Sequence, residues 1–154
     1  YTSFEVELID VVPSNDNADL HLLASADGGS TFMATAGDYL YVTAGRWGPT
    51  TSTSNSIGQT NSNAAHIEAA RGVGSSAGEL GVSGTYRVVG ASGLGTTSVT
   101  MEANWRDNQT TVLGKATYWS GTGLITANGN VDALRFLFSV GNIASGTFIV
   151  RGIK

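Results

Sequence analysis

The sequence predicts an all-β domain, an antiparallel β-sandwich of jelly-roll-like form with about eight to ten short strands. Three observations predict it. Apolar and polar side chains alternate with a period of two in stretch after stretch. The candidate strands are separated by Gly, Ser and Asn clusters, and the 154 residues include 21 Gly, 16 Ser and 18 Thr against two Pro. Charged residues make up 13% and hydrophobic residues 41% of the chain, which is too apolar for disorder. This length suits one domain over 1–154, with a core that needs no staples.

Taken in order, residues 4–12 set Phe4, Val6 and Leu8 on one face, opposite Glu5 and Glu7. Residues 19–25 pair Leu20 with Leu22 and place His21 on the outer face. The DGGS that follows predicts a hairpin turn, with a partner strand from Thr31. Residues 38–45 alternate again. Residues 46–64 are polar and nearly free of apolar side chains, which predicts a long exposed loop. Residues 63–72 read as a helix by propensity, or as a strand by context; strand is the preferred reading. Residues 97–106 are the clearest strand, with Val99, Met101, Ala103 and Trp105 on one face. Residues 110–119, 131–140 and 146–153 complete the set. VSGTYRVVG at 82–90 echoes ASGTFIVRG at 144–152, which suggests two similar Gly-Thr-initiated strands, edge-related in the two sheets.

The net charge is −4, the pI is about 4.9 and no basic run exists, so nucleic acid is not an expected ligand. No apolar stretch approaches the ~20 residues of a membrane span. The chain has no secretory signal and no initiator Met, so it reads as processed or as part of a longer polypeptide. With no Cys, disulfides and thiolate chemistry are excluded.

SADGGSTF at 25–32 matches S-x-D-x-G-x-T-F, similar to the Asp-box of sialidase-type propellers. One copy in 154 residues cannot build a propeller. Turn chemistry explains it instead: Asp27 caps the turn, Gly28 and Gly29 supply positive φ, and Phe32 anchors the chain. His21 and His66 have no neighbours at ligand spacing, so no metal site is expected, and no cofactor. The Gly-rich pieces at 72–81 and 90–95 lack the lysine of a phosphate cradle and read as turns. No catalytic motif is present, and the 12 scattered Asp and Glu cannot be paired from sequence. Among the tryptophans, Trp105 belongs to a core face. Trp47, opening the polar stretch beside Arg46, and Trp119, ending a strand, are the candidate ligand- or partner-binding aromatics, with Arg46 beside them. Asn108-Gln109-Thr110 is a formal glycosylation sequon.

Four segments combine into a resemblance. Tyr1-Thr2-Ser3-Phe4-Glu5-Val6-Glu7-Leu8, Ser25 to Phe32, Asp38-Tyr39, and Phe138 to Ile153 resemble, in order and spacing, a broad group of tailed-bacteriophage virion proteins. The resemblance covers about half the chain; residues 46–64 and 90–130 carry none of it. It implies a β-sandwich domain of tail-fibre, tail-tip or head-spike type, located on the particle and carrying no catalytic residues. It further implies a homo-oligomer, with a trimer favoured, that contacts other virion proteins and host surface polysaccharide. A capsid decoration protein and a glycan-processing, depolymerase-like domain are the alternatives.

Overall fold

The computed structural model describes residues 1, 3–48, 55–90, 96–107, 115–126 and 130–154. Ten strands follow in chain order: β1 (Ser3–Pro13), β2 (Ala18–Ser25), β3 (Tyr39–Gly48), β4 (Asn55–Ala64), β5 (Ile67–Val73), β6 (Val82–Val89), β7 (Thr97–Asp107), β8 (Lys115–Ile125), β9 (Ala133–Phe138) and β10 (Ile143–Ile153). The described residues contain no helix. All pairings are antiparallel, and the expected β-sandwich is the observed architecture. Seven strands run β10-β1-β6-β7-β8-β3-β4 and three run β5-β2-β9, with one bridge, Val73 to Asp107, joining the layers. The chain changes layer after β1, β2, β4, β5, β8 and β9.

Alternation builds the core. Val6, Leu8, Tyr86, Val88, Val99, Met101, Trp105 and Trp119 from the large sheet meet Leu20, Leu22, Ala24, Ile67 and Phe138 from the small one. Burying each large side chain contributes about 1.5–3 kcal/mol. Trp105 and Trp119 meet edge to face, with ring centroids 6.0 Å apart. Polar tips of large-sheet aromatics also bond small-sheet backbone. The Tyr86 hydroxyl donates to the Ala69 carbonyl (3.1 Å), freed by a break in the β2–β5 register. Trp105 Nε1 donates to the Arg71 carbonyl (3.0 Å). The Tyr39 hydroxyl accepts from the Ala24 amide (2.8 Å) and donates to the Met33 carbonyl (2.9 Å). These bonds fix the stacking of the sheets, which apolar contact alone leaves free to slide.

β1 carries a bulge at Asp10, whose φ is +50°. The Asp10 amide donates to Ser83 Oγ (2.9 Å), and its carboxylate accepts from the Gly81 amide (2.8 Å). Gly146 closes the other side; a Cβ there would lie 2.7 Å from Val11 Cα. The echo between 82–90 and 144–152 therefore marks the two strands that flank β1 in one sheet, not strands of opposite sheets. Both segments meet the same bulge.

Of four further expectations, two are revised and two are met over the described residues. Residues 55–64, expected within a loop, form β4, an edge strand that among the described residues is bonded only to β3. An edge strand of Ser, Thr, Asn and Gln keeps its outer side hydrated and needs no apolar face; residues 49–54 lie outside the described set. No strand starts at Thr31, because both edges of β2 are taken by β5 and β9. Residues 63–72 are strand from Ile67 onward, as preferred. The strand expected at 110–119 is described from Lys115 and runs on to Ile125; residues 110–114, the sequon at 108–110 and most of 90–95 lie outside the described set.

Candidate functional site

The predicted binding residues separate. Trp119 is fully buried against Trp105, so it reaches no ligand, a correction that follows from β8 alternation: Thr117 and Trp119 point inward and Tyr118 points out. Trp47 is half-buried and pairs with Thr117 on the inward-facing side of β3. Arg46 is exposed on the outer face, directly opposite Tyr118.

Tyr118, 46% exposed, is the centre that sequence reading passed over. Asn104 faces it from β7 and Arg46 from β3. Its hydroxyl donates to Glu102 Oε1 (2.8 Å), and that bond raises the hydroxyl pKa above its usual value. The next register row holds Ser120, between Glu102 and Ala44. An aromatic ring is thus set in a flat field of guanidinium, carboxylate, amide and hydroxyl groups. Such a surface can stack on a sugar ring and bond its hydroxyls.

The SADGGSTF turn is held chiefly by its own side chains. Asp27 accepts from the Thr31 amide (2.8 Å), from the Thr31 hydroxyl and from Ser25 Oγ (2.7 Å). The Thr31 bonds, first among the causes, hold its pKa near 2. Gly28 and Gly29 take φ of +70° and +82°. Phe32 lies under Gly29 and beneath the Arg135 guanidinium (5.4 Å). The shallow hollow beside this turn is lined by two carboxylates, Asp27 and Asp38, and the latter accepts from the Thr35 amide (2.7 Å).

On the outer face of the small sheet, the rings of His21 and His66 stack 3.6 Å apart, with Asp19, Glu68 and Arg71 nearby. Among the described residues no group of three ligating side chains converges on a metal position. Burial first, then the charge on His66, lowers the His21 pKa to about 4; burial also lowers that of His66. The folded pair therefore resists protons that the unfolded chain accepts. Stability is complete above pH ~6.5 and falls as pH drops toward about 4. After discounting for solvent screening, the loss is about 1–2 kcal/mol. Urea midpoints at pH 7.5 and 4.5 measure it, and His21→Gln should flatten the difference; an unchanged difference removes the pair as its cause.

The larger concavity is a groove of about 510 Å³ where the small sheet stops short of β10. Phe4, Val6, Phe136, Phe148 and Val150 line it. Phe136 contacts both Tyr86 (5.3 Å) and Phe148 (5.7 Å). Its only carboxylate, Asp132, accepts from the Gly28 amide (2.9 Å). No protein-family model, curated protein or solved structure matches the chain.

Proposed function

We propose that this chain is a non-enzymatic structural and adhesion module of a virion, a tail-fibre, tail-tip or head-spike domain that contacts host surface glycan through the face centred on Tyr118. The observation that carries it is the exposed Tyr118 ring bracketed by Arg46, Asn104 and Glu102 on the outer face of the seven-stranded sheet. The terminal and turn segments that resemble phage virion proteins supply the context. Weak single contacts suffice where several copies engage at once.

The carboxylates of the two concavities support a non-catalytic reading; Glu68, whose pKa burial raises, lies with Asp19 beside the histidine pair and lines neither. Glycoside hydrolysis needs a general acid with a raised pKa beside a second carboxylate. In the hollow beside the turn, Asp27 is shifted the other way. The groove contributes the single carboxylate Asp132.

The test is titration of a panel of bacterial capsule and O-chain polysaccharides, followed by calorimetry and by reducing-end release. A binding polysaccharide is expected, released sugar is not. Tyr118→Ala should weaken binding by about tenfold or more, the scale of one lost aromatic contact, and Arg46→Ala should weaken it less. Binding untouched by Tyr118→Ala, or steady release of reducing ends, overturns the proposal.

A further inference from the structure

The two edges of the seven-stranded sheet differ in kind. β4 (NSIGQTNSNA) is polar except at Ile57 and Ala64. β10 (IASGTFIVRGI) is apolar, 11 residues long, and exposed along most of its length. Edge strands are usually blunted by Pro, by Lys or by a charge turned inward. β10 has none of these. Its one charge, Arg151, lies on the outer face and is held by Glu5 (3.3 Å) and Glu7 (2.7 Å) of β1. Its inward residues Phe148 and Val150, 38% and 64% exposed, floor the apolar groove.

We infer that β10 is the interface for a second copy of this chain, the two β10 strands pairing antiparallel about a two-fold axis so that both large sheets become one continuous sheet. Three observations select a second copy. The first is the contrast of edges: pairing β10 with the β4 edge of another copy would set Phe148 and Val150 beside Asn, Gln and Ser, whereas β10 on β10 sets like beside like. The second is charge. The groove offers one carboxylate and one guanidinium, already engaged by the Gly28 amide and the Phe32 ring, so it suits an uncharged occupant such as β10 itself. The third is register. Residues 147–153 pair with β1 without a break, so the free edge is regular there. Centring the axis on Val150 places Phe148 opposite a glycine, where its ring has room, and Arg151 opposite an isoleucine. No like charges meet, and Phe148 and Val150 of both copies close over a joined groove.

This inference goes beyond the proposed function and does not depend on it. Tyr118 on β8 lies four strands from β10, so polysaccharide binding and dimerisation can fail separately. The test is sedimentation equilibrium of residues 1–154 across concentration. A dimer is expected. Val150→Lys, at an exposed position that leaves each monomer fold intact, should raise the dissociation constant by about a hundredfold or more, because two ammonium groups would be buried side by side. Facing Cβ atoms in an antiparallel pair lie about 4.5–5.5 Å apart. In a chain without cysteine, Val150→Cys should therefore give a disulfide-linked dimer on mild oxidation, whereas Ser62→Cys on β4 should not. A monomer up to about 0.1 mM overturns the inference. So does a Ser62→Cys chain that cross-links as fast, or a monomer that instead binds an apolar extended peptide.

Discussion

Replacing Trp119 by alanine is expected to lower the unfolding free energy by about 4 kcal/mol, the upper range for truncating a buried aromatic. The indole is fully buried, packs edge to face on Trp105 and sits opposite Ala103, a neighbour too small to fill the space. A second variant isolates the cause. Trp119 Nε1 has no hydrogen-bond partner among the described residues. Trp119→Phe therefore gives up volume without breaking a polar contact, and it should cost less than half as much as the alanine change. Guanidinium unfolding at constant slope measures both. Equal losses would mean that the indole nitrogen, not its volume, matters.

The second large effect is expected at Gly84. It lies in β6, between Leu8 of β1 and Ala103 of β7. A Cβ there would overlap the Glu102 carbonyl oxygen and lie 2.7 Å from Ala103 Cα. Those atoms belong to backbone held from the far side by β8, so they cannot give way as a side-chain tip does. Gly84→Ala should destabilise by about 3 kcal/mol. Gly48→Ala, with no described residue within 4 Å, serves as the neutral control. A loss below about 1 kcal/mol at Gly84 would show that β6 and β7 pair with slack.

Most strands were legible because one face of each is buried, so period-two alternation is written into the residues: Val99, Met101, Ala103 and Trp105 are the clearest case. β4 was not legible. It is an edge strand paired on one side, and its Ser, Asn, Thr and Gln carry no alternation. The turn at 25–32 was legible as a turn, but not its consequence. Which strands flank β2 is decided by β5 and β9, about 45 and 115 residues away, and local spacing carries no such information. For the candidate site, Trp119 was misassigned, because it is fully buried. The dipeptide Tyr118-Trp119 must send one ring inward and one out. The smaller ring, with a hydroxyl to solvate, is the one that tolerates water, so the signal was present in the alternation of β8 itself.

The place of β1 between β10 and β6 sets the order in which the molecule can form. The register joins Ser3 to Ile153, so β1 is synthesised long before the strand it pairs with. Its other partner, β6, emerges some eighty residues later. Until then neither backbone edge of β1 has a strand to pair with. Closing loops of that span before any reward arrives makes folding slow. The hairpins β3–β4, β6–β7 and β7–β8 can form early and locally, whereas β1 is captured late. During synthesis this domain therefore carries β1 unpaired until β6 and β10 follow, open to the same strand on a neighbouring nascent chain of a polysome.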